Sequence, residues 1–373
     1  MKKIKIMHIA QAAGGVDRYI RVLLKYLNSD KYENILICSN DYDLNSYINL
    51  VDKFEQIEMT RNIDIKDLFV TREIRKIILK HKPDIIYAHS SKAGALARMA
   101  NIGTKIKCIY NPHGWSFNMQ CASKKKMIYT IIERIAALFC DKIICISDAE
   151  YKSALNKKIC NKRKLKTIYN GIDIDEYEDS GEKKLSRNDL GIPENALVFG
   201  MVGRLSLQKA PDTFIKSAKL IKQRFKNAFF IIVGNGPMEE EILSLAKSYD
   251  IDKSLIITGW INNPLDYVAL FDVAFLLSRW EGFGLALAEY MLKEKPIIAT
   301  NIDAIPNLIF DHYNGILVDV DDENMVFNAT VEIMENDKLR QNLIKNGKDS
   351  VYDRFNAKRM AIEHEELIDE LML

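Results

Sequence analysis

Residues 278–291 read SRWEGFGLALAEYM, and they carry two carboxylates in an otherwise apolar run. Glu281 and Glu289 stand at either end of a glycine-containing turn, with Gly282 and Gly284 beside the first. Buried charge is costly without a partner or a ligand, so the pair asks what it faces. A second candidate is MVGRLSLQKAPDTF, where Gly203 closes a strand, Arg204 follows, and Lys209 precedes a helix that starts at Pro211–Asp212. Arginine offers a planar fork of donors and lysine a mobile point charge; at the mouth of a sheet the two would neutralise a diphosphate. The alternative is a pair of solvated loop cations. Three further glycine turns follow strands: AAGGVDRY with Gly14 and Gly15, VGNGP with Gly234 and Gly236, and TGW at Gly259–Trp260. Without a Cβ, backbone amides can approach an anion, and a helix dipole favours negative charge there. Each turn alone is compatible with simple chain reversal; four at four strand ends describe a lined cleft.

The elements that must position these residues alternate along the chain. IKIMHIA, NILICS, DIIYAHS, KCIYNPHG and KIICIS read as short buried strands, with amphipathic helical stretches between them. This predicts βαβ units, parallel sheets and helices on both faces. After the polar stretch DSGEKKLSRNDLGIPENA the pattern restarts with LVFGMVG, FFIIVGNG, SLIITGW, VAFLLS and KPIIAT. The expected fold is therefore α/β with two Rossmann-like domains, residues 1–175 and 185–355, and an amphipathic helix at 356–373 that packs back on the first. Ligands of such folds bind at the C-terminal ends of the strands, which puts the chemistry in an inter-domain cleft.

A chain of 373 residues suits two cores better than one. With 48% hydrophobic and 28% charged residues it has the composition of a soluble globular protein. The net charge of +2 conceals an asymmetry. Residues 1–180 hold 31 Lys and Arg against 21 Asp and Glu, and the remainder 22 against 30, a balance of +10 against −8. A basic first half is expected to meet an anionic partner or surface. The six scattered cysteines form no CxxC pair and read as reduced core thiols of a cytoplasmic protein. The N-terminal MKKIKIMHIAQA alternates and ends in a glycine turn, as a strand does and a signal peptide does not. The longest apolar stretch, MIYTIIERIAALFCDKIICIS, is interrupted by charge and cannot span a bilayer as one helix.

Taken together, GGVDRYI, PHGWSF around His113, CISDAE, YNGID, GRLSLQKAPD, VGNGP, TGW and SRWEGFGLALAEYM resemble the retaining glycosyltransferases of family four, in order and spacing along nearly the whole chain. The resemblance implies the GT-B architecture and sugar transfer from a nucleotide-sugar, with UDP the expected nucleotide. GGVDRY with PHGWSF is similar to bacterial enzymes of capsule, exopolysaccharide or O-antigen assembly. It further implies that Glu281 faces the donor sugar and Glu289 takes hydrogen bonds from the ribose hydroxyls. Backbone amides of Phe283, Gly284 and Leu285 would point at the diphosphate or sugar. Arg204 and Lys209 would hold the diphosphate and stabilise the charge of the leaving phosphate, Gly15 would let its loop close over the same phosphate, and His113 would sit beside the sugar. Trp260 and Ile261 would flank the base.

The resemblance carries no metal and no cofactor: Asp-x-Asp occurs at 41/43, 173/175, 250/252 and 319/321, too often to identify a metal site. There is one departure. The family usually has a glycine pair after the strand KPIIAT, where this chain has NIDAIPNL, so a loop expected to resist positive φ puts donor-sugar contacts in question. His89 is a candidate for the acceptor side or a satisfied strand-end histidine. Lys124, Lys125 and Lys126 are candidates for an anionic surface, placing a lipid-linked saccharide acceptor at the inner face of the plasma membrane. Nucleic acid is not expected, because no aromatics interleave the lysines. The other readings are a nucleotide-sugar 2-epimerase of the same fold and an inactive subunit of a polysaccharide assembly complex.

Overall fold

A computed structural model describes residues 2–11, 13–60, 64, 66–119, 121–178, 185–261 and 263–373. Residues 179–184 of the polar connector lie outside the described residues. The chain divides into two units, Met1–Gly171 with Asn356–Leu373, and Ile172–Phe355.

In the first unit, β1 (Ile4–Ile9), β2 (Tyr32–Cys38), β3 (Lys53–Gln56), β4 (Ile85–His89), β5 (Lys107–Asn111), β6 (Lys142–Cys145) and β7 (Leu165–Thr167) pair in the order β3-β2-β1-β4-β5-β6-β7. Every pairing is parallel. The helices α1 (Gly15–Tyr26), α2 (Asp67–His81), α3 (Ser91–Ala100), α4 (Ser123–Ala136) and α5 (Asp148–Asn156) make the crossovers. Central strands of a sheet covered on both faces must be apolar throughout, and β4, IIYAH, is buried along its length. His8 on β1 and His89 at the end of β4 are polar exceptions, both fully buried.

The second unit contains β8 (Leu197–Val202), β9 (Ala228–Val233), β10 (Leu255–Ile257), β11 (Val273–Leu276), β12 (Ile297–Thr300) and β13 (Ile316–Val318), all parallel in the order β10-β9-β8-β11-β12-β13. Its helices are α6 (Ile174–Glu178), α7 (Pro211–Arg224), α8 (Glu239–Ser248), α9 (Leu265–Val268), α10 (Leu285–Leu292), α11 (Ile305–Leu308), α12 (Glu323–Glu335) and α13 (Asp337–Arg354). Phe199, Phe214, Phe230 and Phe275 fill its core. In this unit α10 is apolar because it is buried, not amphipathic.

The last helix, α14 (Ala357–Met372), belongs to the first unit. It buries Ala357, Met360, Ala361, His364, Leu367 and Ile368, an i, i+3, i+4, i+7 stripe. Its start crosses the YNGID segment so closely that a Cβ on Gly171 would lie 2.6 Å from the Asn356 carbonyl oxygen. YNGID also contains Asp173, whose Oδ1 accepts from the Glu176 amide at 3.1 Å, so this Asp-x-Asp serves the backbone of α6.

Strand order reverses direction between β1 and β4 in one sheet and between β8 and β11 in the other. These are the topological switch points, where crossover helices diverge and leave a crevice. Most of the residues singled out above lie in the loops at these two places.

Candidate functional site

In the second unit the loops after β8 and β11 are joined by side chains. Lys209 Nζ lies 2.5 Å from Glu281 Oε2, and Ser278 Oγ donates to the same oxygen at 3.1 Å. Both side chains of the ion pair are mostly covered, at 19% and 11% exposure, which strengthens the pairing relative to a surface salt bridge. Arg204 is exposed, and its side chain makes no hydrogen bond or ion pair among the described residues. The loop therefore presents one neutralised cation and one open cation.

Arg279, which sequence reasoning passed over, holds this arrangement. Its guanidinium donates to Asp212 Oδ2 at 2.6 Å, to both Asp321 oxygens at 2.9 Å and to the Leu207 carbonyl at 2.9 Å. Its amide donates to the Gln208 carbonyl at 2.8 Å, and Gln208 Nε2 donates to the Trp280 carbonyl at 3.0 Å. Lys209 and Glu281 thus sit on two loops tied together by one fork. The available signal was an arginine two residues before Glu281, with acidic residues at the start of α7 and after β13.

Glu281 is fixed from behind as well. Its amide donates to Asp303 Oδ2 at 3.0 Å. Asp303 has φ 47°, so the glycine-free NIDAIPNL loop does enter the left-handed region it was expected to resist. Aspartate adopts that conformation more readily than most residues, and here its carboxylate also caps the neighbouring loop.

The turn that follows leads into α10. Gly284 precedes the helix with φ 87°, a conformation suited to glycine. The amides of Gly284 and Leu285 donate no hydrogen bond among the described residues, as expected for a helix start. Phe283 is buried and packs edge-on against Phe355 at 5.8 Å. Glu289 is buried inside α10 at 2% exposure. One residue on, Tyr290 accepts from the Val202 amide at 2.8 Å and donates to the Phe275 carbonyl at 3.1 Å, anchoring α10 to β8 and β11.

Two glycines in the turns of the second unit have a packing reason. A Cβ on Gly234 would lie 2.2 Å from the Gly203 carbonyl oxygen, and one on Gly236 would lie 2.3 Å from that of Leu205. VGNGP therefore lies directly on VGRLS, and its glycines are required by that backbone contact. Gly259 bridges to Gly234, while Trp260 beyond it is 72% exposed and Ile261 half-buried. In the first unit, by contrast, a Cβ on Gly14 or Gly15 would meet nothing within 4 Å. Gly14, the residue before α1, has φ 121°, and there is open space at that helix N-terminus.

Behind this turn lies a buried polar network. His8 Nδ1 is 3.2 Å from His89 Nε2, and His89 Nδ1 is 3.0 Å from His113 Nε2. His89 is completely buried with both ring nitrogens occupied, which places it behind His113 rather than at an acceptor surface. His364 of α14 donates its Nδ1–H to the Met360 carbonyl at 2.6 Å, which leaves Nε2 as the acceptor for the Tyr19–Tyr87 hydroxyl pair; those oxygens lie 2.8 and 3.0 Å from it and 2.9 Å from each other, so one hydroxyl donates to Nε2 and the other to its neighbouring hydroxyl. Burial pushes His8 and His364 down to about 4 and His113 to about 3, and holds His89 well below its usual value.

These histidines are neutral when folded, whereas in the unfolded chain they titrate near 6.5. As pH falls below about 6.5 the unfolded state binds protons that the folded state does not, so stability is lost progressively down to the folded values near 4. Thermal unfolding followed between pH 7.5 and 4.5 is expected to show Tm nearly flat above pH 7 and falling below 6.5. A His364→Gln variant is expected to fall less steeply.

Lys124 and Lys125 are exposed, and Lys126 is half-buried, in the first turn of α4. The same helix exposes Met127, Ile128, Ile131, Ile132 and Ile135, and Leu138 and Phe139 follow. Among the described residues, no group of three or more His, Cys, Asp or Glu is placed to hold a metal ion, and no helix is long and apolar enough to cross a membrane.

The comparisons with known proteins agree along the chain. Residues 13–176 match the family model described as Glycosyltransferase Family 4, and residues 182–350 match Glycosyl transferases group 1. The chain is 30% identical to the UDP-Gal:alpha-D-GlcNAc-diphosphoundecaprenol alpha-1,3-galactosyltransferase of Escherichia coli, over 95% of this chain and 94% of that one. It is 32% identical to an uncharacterized 41.2 kDa protein in the cps region of Klebsiella pneumoniae, over 89% of each. Among solved structures it is similar to Anabaena HepE in complex with UDP and glucose, with a TM-score of 0.82 at 19% identity, covering 98% of this chain and 99% of that one. Two parallel Rossmann-like sheets, end-to-end identity of 30% and both family matches lead to one conclusion: the chain belongs to glycosyltransferase family 4.

Proposed function

We propose that this glycosyltransferase moves a hexose from a UDP-hexose to a lipid-linked saccharide during bacterial surface polysaccharide synthesis, with retention of anomeric configuration and without a metal. The observation that carries the reading is the loop pair at the β8/β11 switch point: open Arg204, the Lys209–Glu281 pair, and the unoccupied amides of Gly284 and Leu285. This collection suits a diphosphate with a sugar attached. Arg204 and Lys209 meet the phosphate oxygens, and their charge stabilises the leaving UDP as the anomeric C–O bond breaks. Glu281 turns from Lys209 toward the sugar hydroxyls, and Glu289 receives the ribose hydroxyls. The acceptor hydroxyl attacks from the face that UDP leaves, and its proton passes to the departing phosphate oxygen. In the first unit His113 takes a hydrogen bond from the sugar, and the open Gly14–Gly15 turn lets backbone approach phosphate. The lipid-linked acceptor is supported by what the Escherichia coli relative is named for.

The same proposal has α4 resting on the cytoplasmic face of an anionic membrane. Its exposed apolar residues recur at i, i+1, i+4, i+5 and i+8, one helical face, with Lys124 and Lys125 at one end. An amphipathic face of this composition lies in the headgroup region with its lysines on anionic lipid. Co-sedimentation with vesicles containing phosphatidylglycerol at low salt is expected to capture the protein. The Ile128→Glu/Ile132→Glu variant is expected to stay in the supernatant; equal behaviour of the two would remove the membrane contact.

Thermal shift against UDP-, GDP-, ADP- and dTDP-hexoses tests the donor, since a ligand that binds only the folded state raises Tm. UDP-hexoses are expected to stabilise the protein, in EDTA as in its absence. A shift with another nucleotide alone would contradict the assignment of UDP.

A further inference from the structure

Surface helices usually turn apolar side chains inward and polar ones outward. Helix α4 of the first unit does the reverse. Successive residues of a helix are set about 100° apart, so Met127, Ile128, Ile131, Ile132 and Ile135 fill one arc of about 140°. All five are exposed, between 38% and 59%. Lys126, Tyr129, Thr130 and Glu133 fill the opposite arc, and Thr130 and Glu133 are the buried residues of the helix. A buried carboxylate beneath an exposed isoleucine face is the informative exception to the usual partition of residues.

Glu133 fastens α4 to the body of the unit. Its Oε2 accepts from Arg98 Nη2 of α3 at 3.1 Å, and its Oε1 accepts from the Tyr110 hydroxyl of β5 at 2.7 Å. Arg98 also donates from Nε to the Gly94 carbonyl at 2.8 Å, and its guanidinium lies 3.7 Å from the centre of the Tyr110 ring. Gly94 makes room for that ring, since a Cβ there would lie 2.3 Å from Tyr110 Cε2. Arg98, Tyr110 and Glu133 are all buried. Thr130, by contrast, bonds back to the Lys126 carbonyl of its own helix at 2.8 Å. On the exposed seam of α4, Arg134 donates to the Lys157 carbonyl at 2.9 and 2.6 Å, where water competes for the bond. The core around the buried cluster is apolar and includes Trp115, Phe117, Ala137 and Cys140. Isoleucines would suit such a floor better than an ion pair does, and exchanging a buried ion pair for apolar side chains is often neutral or stabilising. Stability therefore does not account for the cluster. What it does is decide which side of α4 faces inward.

We infer that Glu133, Arg98 and Tyr110 set the rotation of α4 about its own axis and so keep its isoleucine face outward, for the acyl boundary of an anionic bilayer. Rolling the helix over would bury the isoleucines, but it would leave Arg98 as a buried charge without its carboxylate. The three are positioning residues for a surface they do not belong to. Lys124 lies on the outward side of the first turn and Lys125 at its edge, where lipid phosphates would meet them.

This inference rests on the membrane contact proposed above, but the rotation of α4 is measured without lipid. Thiol probes are introduced by Ile131→Cys or Thr130→Cys into the full chain carrying Cys121→Ser and Cys160→Ala, which removes the native cysteines that are not buried. With the cluster intact, the Ile131→Cys thiol is expected to react quickly with maleimide and the Thr130→Cys thiol slowly. Arg98→Met/Tyr110→Phe/Glu133→Leu is expected to keep Tm at or above wild type. In that variant the first rate is expected to fall and the second to rise, each by about 10-fold or more. Affinity for phosphatidylglycerol vesicles is expected to fall at least about 10-fold with it. Tyr110→Phe removes only a hydroxyl and is expected to move both rates in the same sense by about 2- to 5-fold. Glu133→Gln, which keeps an acceptor for Arg98 and Tyr110, is expected to label like wild type at a lower Tm. Unchanged labelling at both positions in the triple variant, or in Tyr110→Phe where only that protein folds, overturns the inference. Rates that exchange as expected in a protein that binds no vesicles would instead remove the membrane contact while leaving the cluster as the element that orients α4.

Discussion

Arg204→Ala is expected to lower kcat by roughly 10²-fold or more while leaving Tm and donor affinity close to wild type. The stability part follows from the structure. Arg204 is exposed and its side chain has no partner among the described residues, so removing it leaves no buried group unsatisfied. The kinetic part follows from when the charge is needed. A UDP-hexose is already solvated in the ground state, but charge builds on the departing oxygen as the bond breaks, and a fixed cation there is stronger in the transition state than before it. Lys209→Ala is expected to lose at least as much, for a mixed reason. It removes a phosphate cation and also leaves Glu281 with Ser278 as its side-chain partner. Lys209→Met combined with Glu281→Gln separates the two effects through a double-mutant cycle. Wild-type turnover in both Arg204→Ala and Lys209→Ala would reject the assignment of these residues to the leaving group.

Glu289→Ala is expected to act on binding instead. A carboxylate meeting the cis hydroxyls of a ribose contributes charge-assisted hydrogen bonds worth roughly 1.5–3 kcal/mol, so UDP affinity should fall about 10- to 100-fold. At saturating donor, kcat should change far less, because the ribose contact is the same in ground and transition states. Glu289 is buried in α10, so truncation also opens a cavity and lowers Tm. Glu289→Gln keeps the volume and is the cleaner variant, expected to lose about 10-fold in UDP affinity by calorimetry with little change in Tm. Equal affinity of Glu289→Gln and wild type for UDP would place the ribose elsewhere.

The fold was legible because parallel strands buried on both faces read as uninterrupted apolar runs, and the chain repeats that pattern twice around one polar connector. The two loops at the β8/β11 switch point were legible for a similar reason, since glycine, arginine and lysine at a strand end are local signals. What sequence could not supply was long-range pairing. Arg279 joins residues 67 and 42 positions away in the chain, and nothing nearby marks it as a clamp. His89 stood out at a strand end, but only the pairing of β1 with β4 and the return of α14 bring it together with His8 and His364. Asp303 inverted an expectation because backbone preference was weighed without the side-chain bond to Glu281 that accompanies it. For Gly234 and Gly236 the fold adds a requirement that spacing does not show, a backbone contact with the loop after β8 that leaves no room for a Cβ.

The central claim is transfer from UDP-hexose to a lipid-linked saccharide with retention, driven by protein cations. The direct measurement incubates the purified chain with a UDP-α-hexose, UDP-galactose first, and a short-chain polyprenyl-diphosphate N-acetylhexosamine in EDTA. The product is then followed by mass spectrometry and its anomeric proton coupling by NMR. One added hexose in an α linkage, with UDP released in equal amount, is the predicted result. A β linkage, a strict requirement for added metal, or free sugar released without transfer would contradict it.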